Sequence, residues 1–376
     1  MASRPQPQPA MTIAPAAPSR PAWPKASRAS LAILATLGIV ATLHLASDIL
    51  IPVVAAIVVQ FMVAPAMRQL CRWHVPPPLS AALIVIGIAT MLILGIYHLT
   101  SPASQWIDRL PQVSSRIQEK LRVVREPVQQ VAKASEQVER ATTITGEPTN
   151  LQVTLRRPGL LEQLAGGVRS ALFGISVTLV VLYFLLATGD LFRLKLVRMI
   201  QRLEDKKRAL LTLADIEHQV SIYLSTQTLI NLGLGTAVGA VLWSLGVPNP
   251  LLWGLMVAIA NFVPFFGFII AAGVLMTVSL LSFESFWWAL AAPGAYAALK
   301  VTEGNFVSPN ILGRSLTLNP LVIILSLLFW GWLWGPVGAL LAVPILVIAK
   351  TVCEHVERLH KVADFISGER QRADVL

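Results

Sequence analysis

A chain of 376 residues with 55% apolar side chains, 13% charged ones and a mean hydropathy of +0.66 is too apolar to be an ordinary water-soluble domain. A net charge of +10 would point to nucleic acid if it formed one patch, but the basic residues lie in short segments between apolar runs, so no nucleic-acid partner is expected. The two cysteines, Cys71 and Cys353, each follow an apolar run beside basic residues, which excludes a disulfide framework and suits the reducing side of a membrane.

Residues 1–29 carry the run Gln6-Pro7-Gln8-Pro9 and prolines at 15, 18, 21 and 24, a composition that cannot bury a core. With Arg4, Arg20, Lys25 and Arg28 and no acid, this tail is expected to be disordered and cytoplasmic. No small-x-small cleavage site follows the first apolar run, so an uncleaved first helix is expected. Residues 30–99 then hold three transmembrane helices, at about 30–47, 49–67 and 79–99, divided by Ser47-Asp48 and by Pro76-Pro77-Pro78. Arg68, Arg72 and Trp73 end the second of them on the inner side.

Residues 100–166 form the one substantial polar segment. Leu110, Ile117, Val124, Val131 and Val138 recur every seven residues, a seam that Pro127 should kink. An extracytoplasmic amphipathic helix accounts for the pattern, and contact with a neighbouring subunit is the sharper alternative. From 167 to 349 a transport core is expected. Its first helix, about 168–188, leads into a basic stretch including Arg193, Lys195, Arg198 and Lys206, which suits an interfacial helix over anionic headgroups. The next, about 219–245, places His218, Ser221, Ser225, Thr228 and Asn231 on one face, continued by Gly235 and Gly239 as a small-xxx-small pair. Asn231 and the off-stripe Gln227 are costly in lipid and should face protein or water.

Two later stretches share one plan. Asn249-Pro250-Leu251 opens an apolar run broken at Pro264-Phe265-Phe266-Gly267, and Asn319-Pro320-Leu321 opens another broken at Gly335-Pro336-Val337-Gly338. Such breaks free backbone groups that lipid cannot satisfy, and a matched pair points to a transporter's substrate site. Residues 251–282 would measure about 48 Å as one helix, against a bilayer core of about 30 Å. The stretch is therefore either a long broken crossing or a re-entrant hairpin. The repeat favours two inverted hairpins, at 251–282 and 320–348, around a crossing helix at 285–301. Trp243 and Trp253 flank the intervening Pro248-Asn249-Pro250 turn as an expected interfacial belt. The expected architecture is an all-α polytopic integral membrane protein of about eight membrane segments, with a cytoplasmic C-terminal tail at 350–376.

The order of motifs Gly246-Val247-Pro248-Asn249-Pro250, Asn261-Phe262-Val263-Pro264, Glu303-Gly304-Asn305, Pro309-Asn310-Ile311-Leu312-Gly313-Arg314, Asn319-Pro320-Leu321 and Gly335-Pro336-Val337-Gly338 resembles the autoinducer-2 exporter family of bacterial inner-membrane transporters, over roughly residues 30–365. The resemblance implies an oligomeric all-helical permease; some members are linked to autoinducer-2 export and others look like cation/proton antiporters. Two departures are visible. Phe268 stands where the family's break usually has a second proline, and Asn319 stands where histidine is frequent.

Ionisable residues are scarce along the apolar segments. Glu303 is the leading candidate for ion coupling or substrate contact, with Asn305 as a neutral ligand and Arg314 as counter-charge. Pairing of Glu303 with Lys300 at a helix end is the plainer alternative. Asn261, Pro264 and Gly267 at the first break, Pro336 and Gly338 at the second, and Gln227 and Asn231 complete the candidate pathway. The side chain of Asn261 is expected to repair the broken backbone, and Phe265, Phe266 and Phe268 to pack. No nucleotide loop, zinc-protease motif or nucleophile elbow is present, and the six histidines have no ligand spacing. An enzyme, a metal site and a cofactor are not expected. The functional expectation is a secondary exporter of a small polar solute, with a cation/proton antiporter or a membrane scaffold as alternatives. With Cys71 and Cys353 replaced by serine, Ser315→Cys is expected to react with impermeant thiol reagents from the cytoplasmic side; labelling only from outside overturns the inverted hairpins.

Overall fold

The computed structural model describes residues 25–109, 160–198, 203–312, 318–356 and 359–368, and every regular element among them is a helix. The heptad seam from Leu110 onward lies outside these residues. Helix α1 (Lys25–Leu45) is a unit by itself. The second unit begins with α2 (Ser47–Arg72), α3 (Pro77–Arg109), α4 (Leu160–Arg198) and α5 (Leu203–Ser244). After a turn at Gly246 follow α6 (Pro250–Ala260), α7 (Phe266–Ser282), the short α8 (Phe286–Ala289) and α9 (Ala291–Thr302). A π-helical turn, Glu303–Val307, carries α9 without a break into α10 (Ser308–Leu312). Helices α11 (Pro320–His355) and α12 (His360–Ile366) complete the chain.

Burial in this unit departs from that of a water-soluble protein at the polar and the large apolar residues. Ser80, Ser221, Asn231, Asn261, Glu303 and Lys350 are buried, whereas Ile93, Tyr97, Phe184 and Leu229 are exposed. Lipid is as apolar as leucine, so small and polar side chains turn inward, where they find partners. Ser47–Arg72, Pro77–Trp106 and Ser170–Gly189 are each long and apolar enough to cross a membrane, and Pro320–His355 reaches that length as well. The helices overrun the expected bounds because helical backbone continues past the apolar run into charged sequence. Helix α3 passes through Pro102 to Arg109, and the basic stretch after residue 190 divides between the end of α4 and the start of α5.

Both broken stretches fold back on themselves. Helices α6 and α7 contribute Trp253 and Val257, and Ala271, Leu275 and Val278, to one core cluster. Trp253 and Val278 would stand about 37 Å apart along a straight helix. In α11, Ser326 Oγ donates to the carbonyl of Ala342 at 3.2 Å, a contact that an unbroken helix would stretch to about 24 Å. Its halves, 320–334 and 336–355, meet at Gly335, whose φ of 65° and ψ of −149° belong to a region open essentially to glycine alone. Pro336 then starts the second arm, where its missing N–H costs nothing.

The two folds use one device. Pro250 and Pro320, Ala260 and Trp330, and Phe265 and Gly335 each stand 70 residues apart. In the first hairpin Pro264 cannot donate to Ala260, and the chain turns at Phe265, with φ 63° and ψ −59°. The Phe266 N–H donates to Pro264 O at 2.7 Å, closing a γ-turn of the strained kind. Gly267 then lies so near the Ala260 carbonyl that a Cβ would come within 1.9 Å of its oxygen; in the second hairpin Gly338 stands so against Trp330, at 2.0 Å.

Helix α5 carries both hairpins. Towards its end, a Cβ on Gly235 would meet the Gly254 carbonyl at 2.5 Å, so α6 crosses in backbone contact, as the glycine pair of α5 predicted. Nearer its start, Val220 and Leu224 pack with Leu341 of the second hairpin and Val58 of α2. Trp253 is buried, donates through Nε1 to Pro248 O at 3.1 Å and meets Trp106 edge to face, so it is a core residue rather than part of an interfacial belt; Trp243 is exposed. At the far base of the second hairpin, Lys350 is 2% exposed and pairs with Glu354 at 2.8 Å. There α12 closes the hairpin, with the Asn319 N–H donating to Ile366 O and Ile366 packing with Val322 and Leu346.

Gly267→Ala and Gly338→Ala are each expected to destabilise the protein by about 2–3 kcal/mol, since the added methyl meets backbone rather than a movable side chain. Gly273→Ala, on the same hairpin with open space around it, is expected to be neutral or to stabilise by about 0.5–1 kcal/mol. Thermal unfolding of the three variants in detergent checks the contrast.

Candidate transport site

The polar stripe of α5 divides by function. Ser225 and Thr228 donate to carbonyls four residues back on their own helix and so are satisfied locally. Ser221 instead accepts from Arg68 Nη2 of α2 at 3.4 Å, and Asn231, fully buried, reaches across to the first hairpin. Asn261 is the residue at which α6 ends, and its Nδ2 donates to Asn231 Oδ1 at 2.8 Å. Gln227 Nε2 donates to the same oxygen at 3.0 Å. Three amides thus converge where the tip of the first hairpin meets α5. The Asn261 side chain therefore anchors the tip to another helix; the broken backbone is repaired by local turns, including Val263 N–H to Ala260 O at 2.9 Å.

This junction leaves one group over. Asn231 Nδ2 is buried and has no hydrogen-bond partner among the described residues. Leaving a buried amide donor unpaired costs on the order of 1–3 kcal/mol, so such a group in a membrane interior is a natural contact for a polar solute.

On the neighbouring face of α5, Ile230, Gly233 and Leu234 line a cavity of about 410 Å³ that Thr302, Glu303 and Val307 close from the other side. Glu303 is 6% exposed. Its Oε2 pairs with Lys300 at 2.5 Å, and Ser308 Oγ donates to Oε1. An α-helix would turn Ser308 about 140° away from Glu303, whereas the π-helical turn between them allows the contact. Pairing with Lys300 and burial against a cavity therefore hold together for the same carboxylate. About two turns earlier on α9, Tyr296 is 1% exposed, with a hydroxyl that has no partner among the described residues.

The other candidates are dispersed. Asn305 is exposed, away from the cavity lining, and Arg314 lies outside the described residues. Pro264 and Gly267 form the first tip, Pro336 and Gly338 the second. Phe265 and Phe266 are exposed at 54% and 44% instead of packed, while Phe268 stacks near Tyr296. Sequence reasoning missed Ser308 because a 3.6-residue period puts it on the wrong face. It missed Gly254 because only the partner helix shows what that glycine admits.

Long apolar helices, two fold-backs at proline and glycine breaks, and polar side chains buried along a central helix define a multi-pass membrane protein of the transport class. The family model of AI-2E family transporters matches residues 31–358, and the chain belongs to that family. It is 30% identical to the AI-2 transport protein TqsA of Escherichia coli strain K12 over 332 residues, 88% of this chain and 92% of that protein. YhhT of the same strain, which bears the name of a transport protein, is 25% identical over 343 residues, 89% and 93% of the two chains. YrrI of Bacillus subtilis strain 168, similarly named, is 34% identical over 204 residues, 54% of this chain and 57% of the relative. These findings make the chain a membrane transporter and a multi-pass protein of the bacterial inner membrane.

Asn261→Ala removes one of two donors to a buried oxygen and is expected to cost about 1–2 kcal/mol of stability. Adding Asn231→Leu should cost less than the sum of the two single changes, with a coupling of about 1 kcal/mol. Denaturation of the single and double variants in detergent measures it.

Proposed function

We propose that this chain is a secondary exporter of a small, uncharged polar solute, moved by alternating access around the two hairpins. The observation that carries the reading is the amide junction, where Asn231 presents a buried unpartnered donor between the tip of the first hairpin and α5. The junction offers hydrogen bonds without a net charge, which suits a hydroxyl-bearing neutral molecule over an ion. The relative TqsA is named for transport of AI-2, and an autoinducer-2-like molecule is the first cargo to test. In this reading the hairpins are re-entrant and inverted, the chain has about eight membrane segments, both termini are cytoplasmic and the protein is a homo-oligomer. Gln227, Asn231 and Asn261 contact the solute, while Pro264, Gly267, Pro336 and Gly338 shape the tips. Asn305 and Arg314 belong to the connection between the repeats.

A second reading, cation/proton antiport, is favoured by Glu303, a buried carboxylate at a π-helical turn against a cavity. The two readings separate in one preparation. In everted vesicles carrying the wild-type chain, uptake of labelled autoinducer-2 or another neutral polar solute is expected, with loss of at least tenfold in Asn231→Leu (about 1.4 kcal/mol). If cation addition collapses a pH gradient in wild type but not in Glu303→Gln, and no neutral solute moves, antiport replaces export.

A further inference from the structure

A second cavity, of about 710 Å³, lies among α2, the start of α3, α4 and α5, apart from the amide junction. At its level the sequence changes character on three helices. Helix α2 passes from an apolar run to Arg68 and Arg72, α4 passes from Leu185-Leu186-Ala187 to Asp190 and Arg193, and α5 passes from Asp215 and Glu217 to an uncharged run starting at Gln219. The cavity therefore opens at the depth where hydrocarbon gives way to headgroups.

Its lining combines apolar side chains, Met67, Leu185 and Leu186, with charged ones. Arg68 comes from α2, while Asp215, Glu217 and His218 come from α5. The bond from Arg68 Nη2 to Ser221 Oγ steadies the guanidinium across the gap and leaves it four further N–H donors. No ion pair joins Arg68 to Asp215 among the described residues. A cation and a carboxylate on separate helices, unpaired with each other in a cavity that also has apolar lining, match a ligand that carries an anion, a cation and an apolar part.

We propose that this cavity binds the headgroup of a zwitterionic aminophospholipid of the phosphatidylethanolamine kind. Its phosphate lies on Arg68, in the charge-assisted geometry that guanidinium favours, and its primary ammonium lies on Asp215. The acyl chains leave along the apolar lining. A phosphatidylglycerol headgroup has no cation for the carboxylate, and a phosphatidylcholine headgroup has no N–H to donate to it. The bound lipid ties α2 to the helix that holds the amide junction.

Native mass spectrometry of the purified full chain, exchanged against equimolar phosphatidylethanolamine, phosphatidylglycerol and phosphatidylcholine, tests the proposal without any variant. Selective retention of phosphatidylethanolamine, with a matching rise in Tm, is expected. Asp215→Asn should reduce its preference over phosphatidylcholine by about tenfold, and Arg68→Gln should weaken retention of all three lipids. Equal retention of the three by wild type overturns the proposal, as does undiminished selectivity in both variants. Free glycerophosphoethanolamine producing the same Tm rise at the same concentration assigns the cavity to a soluble zwitterion and overturns the lipid.

Discussion

A helix broken inside a membrane must satisfy the backbone groups that the break releases, because the hydrocarbon around it offers no partners. Everything distinctive about this protein follows from meeting that requirement twice. Pro264 and the Gly335-Pro336 pair interrupt two apolar runs, and in each case the chain turns back so that its own second arm covers the break. The covering is tight enough that only hydrogen fits on Gly267 and Gly338. The arms need a shared support, and α5 supplies it, gripping one hairpin through Gly235 and Gly254 and the other through Val220 and Leu224. Between those two grips lie Gln227 and Asn231.

That order along one helix explains why chemistry concentrates there. A polar group on the inward face of α5 between the grips, such as Asn231, is buried against the first hairpin and can find partners there. Asn231 reaches the first tip, while adjacent Ile230 faces the Glu303 cavity. Two polar centres thus flank a single turn of α5. A shift of that turn acts on both, which gives the amide junction and the Glu303 carboxylate a common mechanical element.

Much of this was legible in the sequence. The paired Asn-Pro-Leu openings and the proline and glycine breaks announced the two related folds. The spacing of Gly235 and Gly239 announced a close helix contact, the cost of amides in lipid singled out Gln227 and Asn231, and the nearby Pro264 break singled out Asn261, though as a repair of the backbone. Their convergence was not legible, because it depends on the angle at which α6 crosses α5. The Glu303 site was half legible: its burial and its lysine follow from position, but its serine depends on a change of helical period that no pattern of hydrophobicity encodes. Asn305 shows the converse: it adjoins the Glu303 turn in sequence but is exposed and does not line its cavity, since adjacency says little about sharing a face.

The two tips are copies in plan and unequal in detail. Where the second hairpin turns on glycine, the first turns on Phe265, a bulky residue held in backbone geometry it would not choose. Holding it there costs on the order of 1–3 kcal/mol, comparable to the hydrogen bond by which Asn261 fastens that tip to α5. The first tip therefore combines backbone strain at Phe265 with a side-chain anchor at Asn261 of similar magnitude. Breaking that bond would free only the tip, since α6 stays packed on α5 through Gly235, Gly254 and the shared apolar cluster; the second turn, made on glycine and strapped at its base by α12, stores no such strain.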